Sequence, residues 1–178
     1  MTLAAQIDVG AAGSGMADDV FTQFMEQLHR YVRERLVPAE DATVEADRVP
    51  ADILAEMKEM GLFGVTIPEE FGGSGFNTSQ YIAFVQELSW ALPAFRSIIS
   101  MNVGMTGSAI VNSGTEAQKA QWLPKLASGE AIACFALTEP DSGSDAAALT
   151  TRAIRDGDDY ILNGSKRYIS NAPLRIWA

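Results

Sequence analysis

The residues best suited to chemistry run from Cys134 to Asn171. They open as Cys134-Phe135-Ala136-Leu137-Thr138-Glu139-Pro140-Asp141-Ser142-Gly143-Ser144-Asp145. A short apolar run there breaks into small residues, hydroxyls and a proline. Residues 134–137 read as a buried strand, and the loop behind it offers free backbone N–H groups and the hydroxyls of Thr138, Ser142 and Ser144. Such a loop can cradle a ligand, although loops rich in Ser and Gly are most often plain turns.

Further strands are expected at 149–155 and 160–162, separated by the turn signal Asp156-Gly157-Asp158-Asp159. Asn163-Gly164 is a strong hairpin signal and predicts a last strand over 165–171. Together they predict a β-meander that brings its last strand back to the first loop. Period-two alternation then places Tyr168 and Ser170 on one face, an aromatic plate beside a hydroxyl. A ring flanked by hydrogen-bonding groups suits a planar heteroaromatic cofactor such as a flavin.

The spacing of Ala136-Leu137-Thr138-Glu139-Pro140, Gly143-Ser144-Asp145, Asn163-Gly164-Ser165-Lys166 and Tyr168-Ile169-Ser170-Asn171 resembles the first signature of the acyl-CoA dehydrogenase family. That resemblance implies FAD as cofactor. It also implies α,β-dehydrogenation of an acyl-CoA thioester, with hydride passing to flavin N5. The flavin would be lined by Phe135, Ala136, Leu137, Thr138, Gly143, Ser144, Tyr168, Ile169 and Ser170. Thr138 would bond the pyrimidine edge, while Ser144 would contact the pyrophosphate and the acyl-CoA. Tyr168 stands where the family has Trp and would shield one face of the ring. Ser170 stands where it has Thr and would bond near N5.

The resemblance also implies acyl-CoA as substrate, electron-transfer flavoprotein as electron acceptor, a homotetramer and a role in fatty acid metabolism. Oxidases and flavin monooxygenases share the framework. A non-catalytic helical interaction module or inactive remnant is the reading from a different class. The family's base is a Glu of a C-terminal helical domain that lies outside this sequence. No catalytic residue is therefore assigned, and the chain alone is expected to be inactive, to hold FAD weakly or not at all, and to show no bleaching by acyl-CoA. After Leu174 the family continues Ala-Asp-Leu, whereas this chain reads Arg175-Ile176-Trp177-Ala178. Loss of one base from codons for Leu-Ala-Asp-Leu yields Leu-Arg-Ile-Trp, so the expectation is a frameshift that truncates the enzyme. The gene's nucleotide sequence decides it.

The elements that must position these residues are helical. The 178 residues are 47% apolar and carry a net charge of −10, from 13 basic and 23 acidic side chains. With no basic run, nucleic acid is not an expected partner. A single cysteine, Cys134, and a single histidine, His29, argue against disulfides, zinc clusters and Ser-His-Asp chemistry. Cys134 reads as a buried thiol and His29 as a surface residue. No apolar run approaches the roughly 20 residues of a membrane span. A cytoplasmic protein is expected, with a disordered leader over 1–17 in which Met16 is a candidate natural start.

The fold class expected is α+β: an all-α bundle over 18–129, followed by part of an antiparallel β-barrel or meander over 130–178. Apolar steps of three and four predict a first helix over 18–37, ended by Pro38 and followed by an acidic linker around 40–47. Pro50 opens a second helix, with Ile53, Leu54, Met57 and Met60 inward and Gly61 as its cap. Residues 61–75, rich in Gly and Pro, form an ordered loop that resembles the family's Pro-Glu-Glu-Tyr-Gly-Gly segment, with Phe71 for Tyr; lacking Lys, it fails the P-loop pattern. Thr78 caps a third helix through Trp90. Pro93 opens a fourth through about Val111, apolar on nearly all sides, in which small residues near Ser108 and Ala109 suit either an acyl pocket or plain packing. Thr115 and Gln118 have capping-box spacing for a fifth helix, which carries Trp122, Leu123 and Leu126 and ends at Gly129.

Overall fold

A computed structural model of the chain describes residues 15–172. Of the expected leader, residues 1–14 lie outside that range. Met16 lies inside it and exchanges two hydrogen bonds with the Gln80 side chain, at 3.0 and 2.7 Å. The reading-frame change expected beyond Leu174 also lies outside the described residues.

The first helix, α1 (Asp18–Tyr31), has Asp18 and Asp19 in its first turn and His29 and Arg30 in its last, matching the helix dipole at both ends. Pro38 does not end the rod. A widened turn over Val32–Leu36 and a tight turn over Val37–Ala39 carry it into α2 (Glu40–Ala46), so the expected acidic linker is mostly helix. A proline inside a helix displaces the carbonyl four residues back. Here the wide turn, with Val37 N–H reaching back to Val32 O, absorbs that displacement.

Helix α3 (Ala51–Glu59) buries Ile53 and Met57, with Leu54 and Met60 packed beside them. Gly61, at φ 70°, turns the chain into the loop 61–75. That loop folds back on itself through Ser74 N–H to Gly64 O (2.9 Å), Gly75 N–H to Ile67 O (3.0 Å) and Phe76 N–H to Val65 O (2.7 Å). Gly73 is pressed onto the Ile67 carbonyl so closely that a Cβ would collide with backbone. Phe76 then enters the core, meeting Phe21 and Phe24 edge-on at 5.3 Å.

Helix α4 (Thr78–Leu88) is capped by Asn77 rather than Thr78, in a reciprocal capping box with Gln80. It stops two residues short of the expected Trp90, which is exposed. Pro93 does open α5 (Pro93–Ser100), which runs through a second widened turn, Met101–Gly107, into α6 (Ser108–Ser113). This rod is not apolar on all sides in its packing. Phe95, Ile98, Ile99 and Val103 are buried, whereas Met105 is 38% exposed. Helix α7 (Glu116–Ala127) begins with the expected Thr115–Gln118 capping box and is followed by Gly129 at φ 70°. Leu123 and Leu126 join Ile67, Ala131 and Ala133 in a second apolar cluster.

After the helices comes a small antiparallel sheet, β1 (Arg152–Asp156) and β2 (Asp159–Asn163), with Ile154 opposite Ile161 and Gly157 at φ 64° in the turn. Two expected strands are absent among the described residues. Residues 134–137 have no regular structure and belong to no ladder, and Phe135 and Leu137 are 41% and 38% exposed rather than buried. Residues 165–171 are not a strand either, because Tyr168 and Asn171 adopt left-handed backbone at φ 60° and 67°. Asn163-Gly164 makes no hairpin turn. Gly164 serves a close approach instead, since a Cβ there would collide with the side chain of Thr151.

Candidate functional site

The loop 138–145 is anchored through Glu139, which is 4% exposed. Its carboxylate accepts from the Thr151 amide (2.9 Å), the Thr150 amide and hydroxyl (both 2.7 Å) and Lys166 Nζ (3.0 Å). Hydrogen bonds from Thr151, from the Thr150 amide and hydroxyl, and from Lys166 hold the carboxyl well below the usual carboxylate range. The donor from Thr151 is its amide; its hydroxyl, buried against Gly164, has no partner. These donors replace solvent around a buried carboxylate that belongs to neither apolar cluster. The backbones of Glu139 and Ser142 exchange hydrogen bonds across the turn, and Ser142 Oγ donates to Asp145 O at 2.5 Å. Asp145 in turn accepts from Ala147 N–H.

The segment carrying Tyr168 is registered on this loop by consecutive contacts. Lys166 Nζ reaches Leu137 O (2.9 Å) as well as Glu139, and Arg167 N–H donates to Thr138 O (2.9 Å). Thr138 and Ile169 are half-buried, whereas Ala136, Gly143, Ser144 and Ser170 are exposed. The Tyr168 ring is 84% exposed, with the Arg167 guanidinium 5.6 Å from its centroid. Sequence reasoning puts Tyr168 and Ser170 on one strand face. The left-handed backbone at Tyr168 removes that alternation, so the two are neighbours in a turn instead.

Two asparagines, Asn102 and Asn171, to which sequence reasoning assigns no role, fix the base of the loop. Asn102, fully buried in the widened turn between α5 and α6, accepts from Ala133 N–H at 2.8 Å and donates to Leu126 O at 3.1 Å. Asn171 donates to Ala133 O at 3.0 Å and to Ile98 O at 3.4 Å. The signal for Asn102 was an amide in an apolar helix, since a buried polar group must find partners. Thr106 Oγ1 donates to Cys134 O at 3.4 Å, and Cys134 is half-buried. Next to Cys134, an apolar cavity of about 420 Å³ lies between α6 and α7, lined by Ala109, Ile110, Trp122 and Leu126 among others. Ser108 turns away from it to bond Val103 O.

The residues fit a flavin by the chemistry of their groups. Phe135, Leu137 and Tyr168 present uncovered apolar surface. Among the described residues, no protein group bonds the amides of Gly143 or Ser144, and a Cβ at Gly143 would meet open space. Apolar faces beside uncommitted donors are what a flat ring carrying a pyrophosphate requires.

A helical bundle continued by a polar loop and an antiparallel hairpin defines an α+β protein. Comparison with known proteins narrows this. The family model for the acyl-CoA dehydrogenase N-terminal domain matches residues 19–130, and that for the acyl-CoA dehydrogenase middle domain matches residues 134–177. The (2S)-methylsuccinyl-CoA dehydrogenase of Cereibacter sphaeroides is 38% identical over 90% of this chain and 29% of its own length. An acyl-CoA dehydrogenase of Bacillus subtilis is 38% identical over 82% of this chain and 38% of its own. The solved glutaryl-CoA dehydrogenase of Mycobacterium smegmatis in complex with FADH2 superposes with a TM-score of 0.81 at 36% identity, covering 91% of this chain and 43% of that one. The chain belongs to the acyl-CoA dehydrogenase family, and it spans 29% to 43% of the length of these three relatives.

Proposed function

We propose that residues 135–144 and 168–170 bind FAD, and that the chain forms the N-terminal helical domain, 18–129, and middle-domain part, 130–178, of an enzyme that dehydrogenates an acyl-CoA thioester. The observation that carries this reading is the bond from Arg167 N–H to Thr138 O, flanked by the Lys166 contacts, which registers the segment leading into the exposed Tyr168 on the loop. FAD would supply the acceptor for the substrate β-hydride. Phe135, Ala136, Leu137 and Ile169 would pack on the ring system, Thr138 would bond its pyrimidine edge, and Tyr168 would shield one face. Ser170 would donate near N5, while Gly143 and Ser144 would receive the pyrophosphate, Ser144 also touching the acyl-CoA. Electron-transfer flavoprotein is the proposed electron acceptor, and a homotetramer the proposed assembly.

None of the three loop carboxylates, Glu139, Asp141 and Asp145, is proposed as the α-proton base, which the family resemblance assigns to a C-terminal helical domain. The lone pairs of Glu139 are occupied by four donors, and one oxygen of the exposed Asp145 carboxylate accepts from Ala147 N–H. A base needs a free lone pair within reach of the proton it takes. Purified chain mixed with FAD should therefore show a weak perturbation of the flavin absorption bands and no anaerobic bleaching on adding acyl-CoA. An unperturbed spectrum would favour a non-catalytic interaction module. Bleaching would mean that a carboxylate of this chain does act as base.

A further inference from the structure

Among the described residues, the turn that carries Tyr168 is hydrogen-bonded to the helical bundle at one place. Asn171 Nδ2 donates both to Ala133 O, at 3.0 Å, and to Ile98 O of α5, at 3.4 Å. Ala133 is itself held from the other side, its N–H donating to the Oδ1 of the fully buried Asn102 at 2.8 Å. One backbone residue, immediately before Cys134 and the loop wall, is thus gripped through its N–H by the bundle and through its C=O by the turn. Three residues before Asn171 stands Tyr168, and one residue before it stands Ser170.

We propose that Asn171 is a positioning residue of the flavin site, which sets the Tyr168–Ser170 turn in register with the loop wall 134–138 by clamping Ala133 to α5. This rests on the flavin reading above. The chemistry demands an amide. Two carbonyl oxygens converge on one NH2 group, so a side chain of the same shape with an acceptor in that place would meet two like dipoles. The left-handed backbone at φ 67° is one that asparagine and glycine adopt readily. Asn171→Gly therefore keeps the backbone and deletes the clamp, and Asn171→Asp keeps the shape and reverses its polarity. No apolar core residue is touched by either change.

The test uses the full chain and three readouts: FAD affinity by fluorescence titration, amide hydrogen exchange at Arg167, and thermal melting followed by helical circular dichroism. Asn171→Gly is expected to weaken FAD binding about tenfold, the loss of one to two hydrogen bonds. It should speed exchange at Arg167, whose N–H holds Thr138 O, and leave the helical melt in place. Asn171→Asp should do both to a greater degree. Exchange at Arg167 equal to wild type in both variants would overturn the clamp. Faster exchange with unchanged FAD affinity would overturn its role at the flavin. If the wild-type chain takes up no FAD, the flavin reading fails, and the exchange arm alone decides whether Asn171 sets the register.

Discussion

Glu139 shows how much of the site depends on a residue that would not itself react. Four donors converge on it from two segments of chain, so its charge organises the loop that carries Thr138 and Ser144. A carboxyl whose folded pKa is depressed contributes stability above its unfolded pKa, about 4.3, and that contribution is lost as pH falls through the folded value. Because the folded value lies well below the ordinary range, protection of the Thr150 and Thr151 amides should hold across neutral pH and persist to below pH 4. Hydrogen exchange, corrected for the intrinsic pH dependence, checks this; protection that fades near pH 5 would contradict it. Glu139→Gln should lower protection at both amides at pH 7, since a neutral acceptor makes weaker bonds than a carboxylate. Lys166→Met should expose Leu137 O and free the Arg167 amide. Thr138, Ser144, Tyr168 and Ser170 are proposed for the site through residue type and the family resemblance, while the strand alternation expected of Tyr168 and Ser170 is absent. Sequence reasoning did not mark Asn102 or Asn171 as supports, because their partners are backbone groups of Ala133, Leu126 and Ile98, distant in sequence and carrying no side-chain signature.

At the scale of elements, what is fixed locally was legible and what is fixed by tertiary contact was not. The Thr115–Gln118 box, Pro93 at a helix start and Gly129 after a helix end each act within a few residues, and each stands as expected. Thr115→Ala should therefore cost about 1 kcal/mol in urea unfolding, a typical loss for an N-cap. Pro38 was misleading because the widened turn before it absorbs the clash, and a wide turn has no signal in composition. Asn163-Gly164 misled for a different reason: the glycine answers to Thr151 across a gap rather than to its own turn. The loop 61–75 depends on one such approach, at Gly73. Gly73→Ala should destabilise the bundle by about 3 kcal/mol, since neither Ile67 backbone nor the new methyl has room. A change below 1 kcal/mol in the unfolding midpoint analysis would mean the loop relaxes freely.

Across the whole molecule, the division into a helical bundle and a small antiparallel sheet was legible because hydrophobic period changes from helical to alternating near Gly129. The extent of the sheet was not. Only β1 and β2 form a sheet among the described residues, with every residue of the two strands exposed, and the expected flanking strands bond instead to α5 through Asn171, to the widened turn after α5 through Cys134 O, and to each other through Lys166 and Arg167. Among the described residues no helix is long and apolar enough to cross a membrane. The bundle's two apolar clusters give it a core independent of that hairpin, so Leu123→Ala, at a fully buried position, should cost about 2–5 kcal/mol while Ile154→Ala on β1 costs little. The central claim is that the loop and the Tyr168 turn together hold a flavin. The direct measurement is equilibrium titration of the purified chain into FAD, followed by flavin fluorescence, for wild type, Thr138→Val and Tyr168→Ala. The account predicts weak, saturable quenching by the wild type, with affinity reduced about tenfold or more in each variant; no quenching by the wild type, or equal quenching by all three chains, would contradict it.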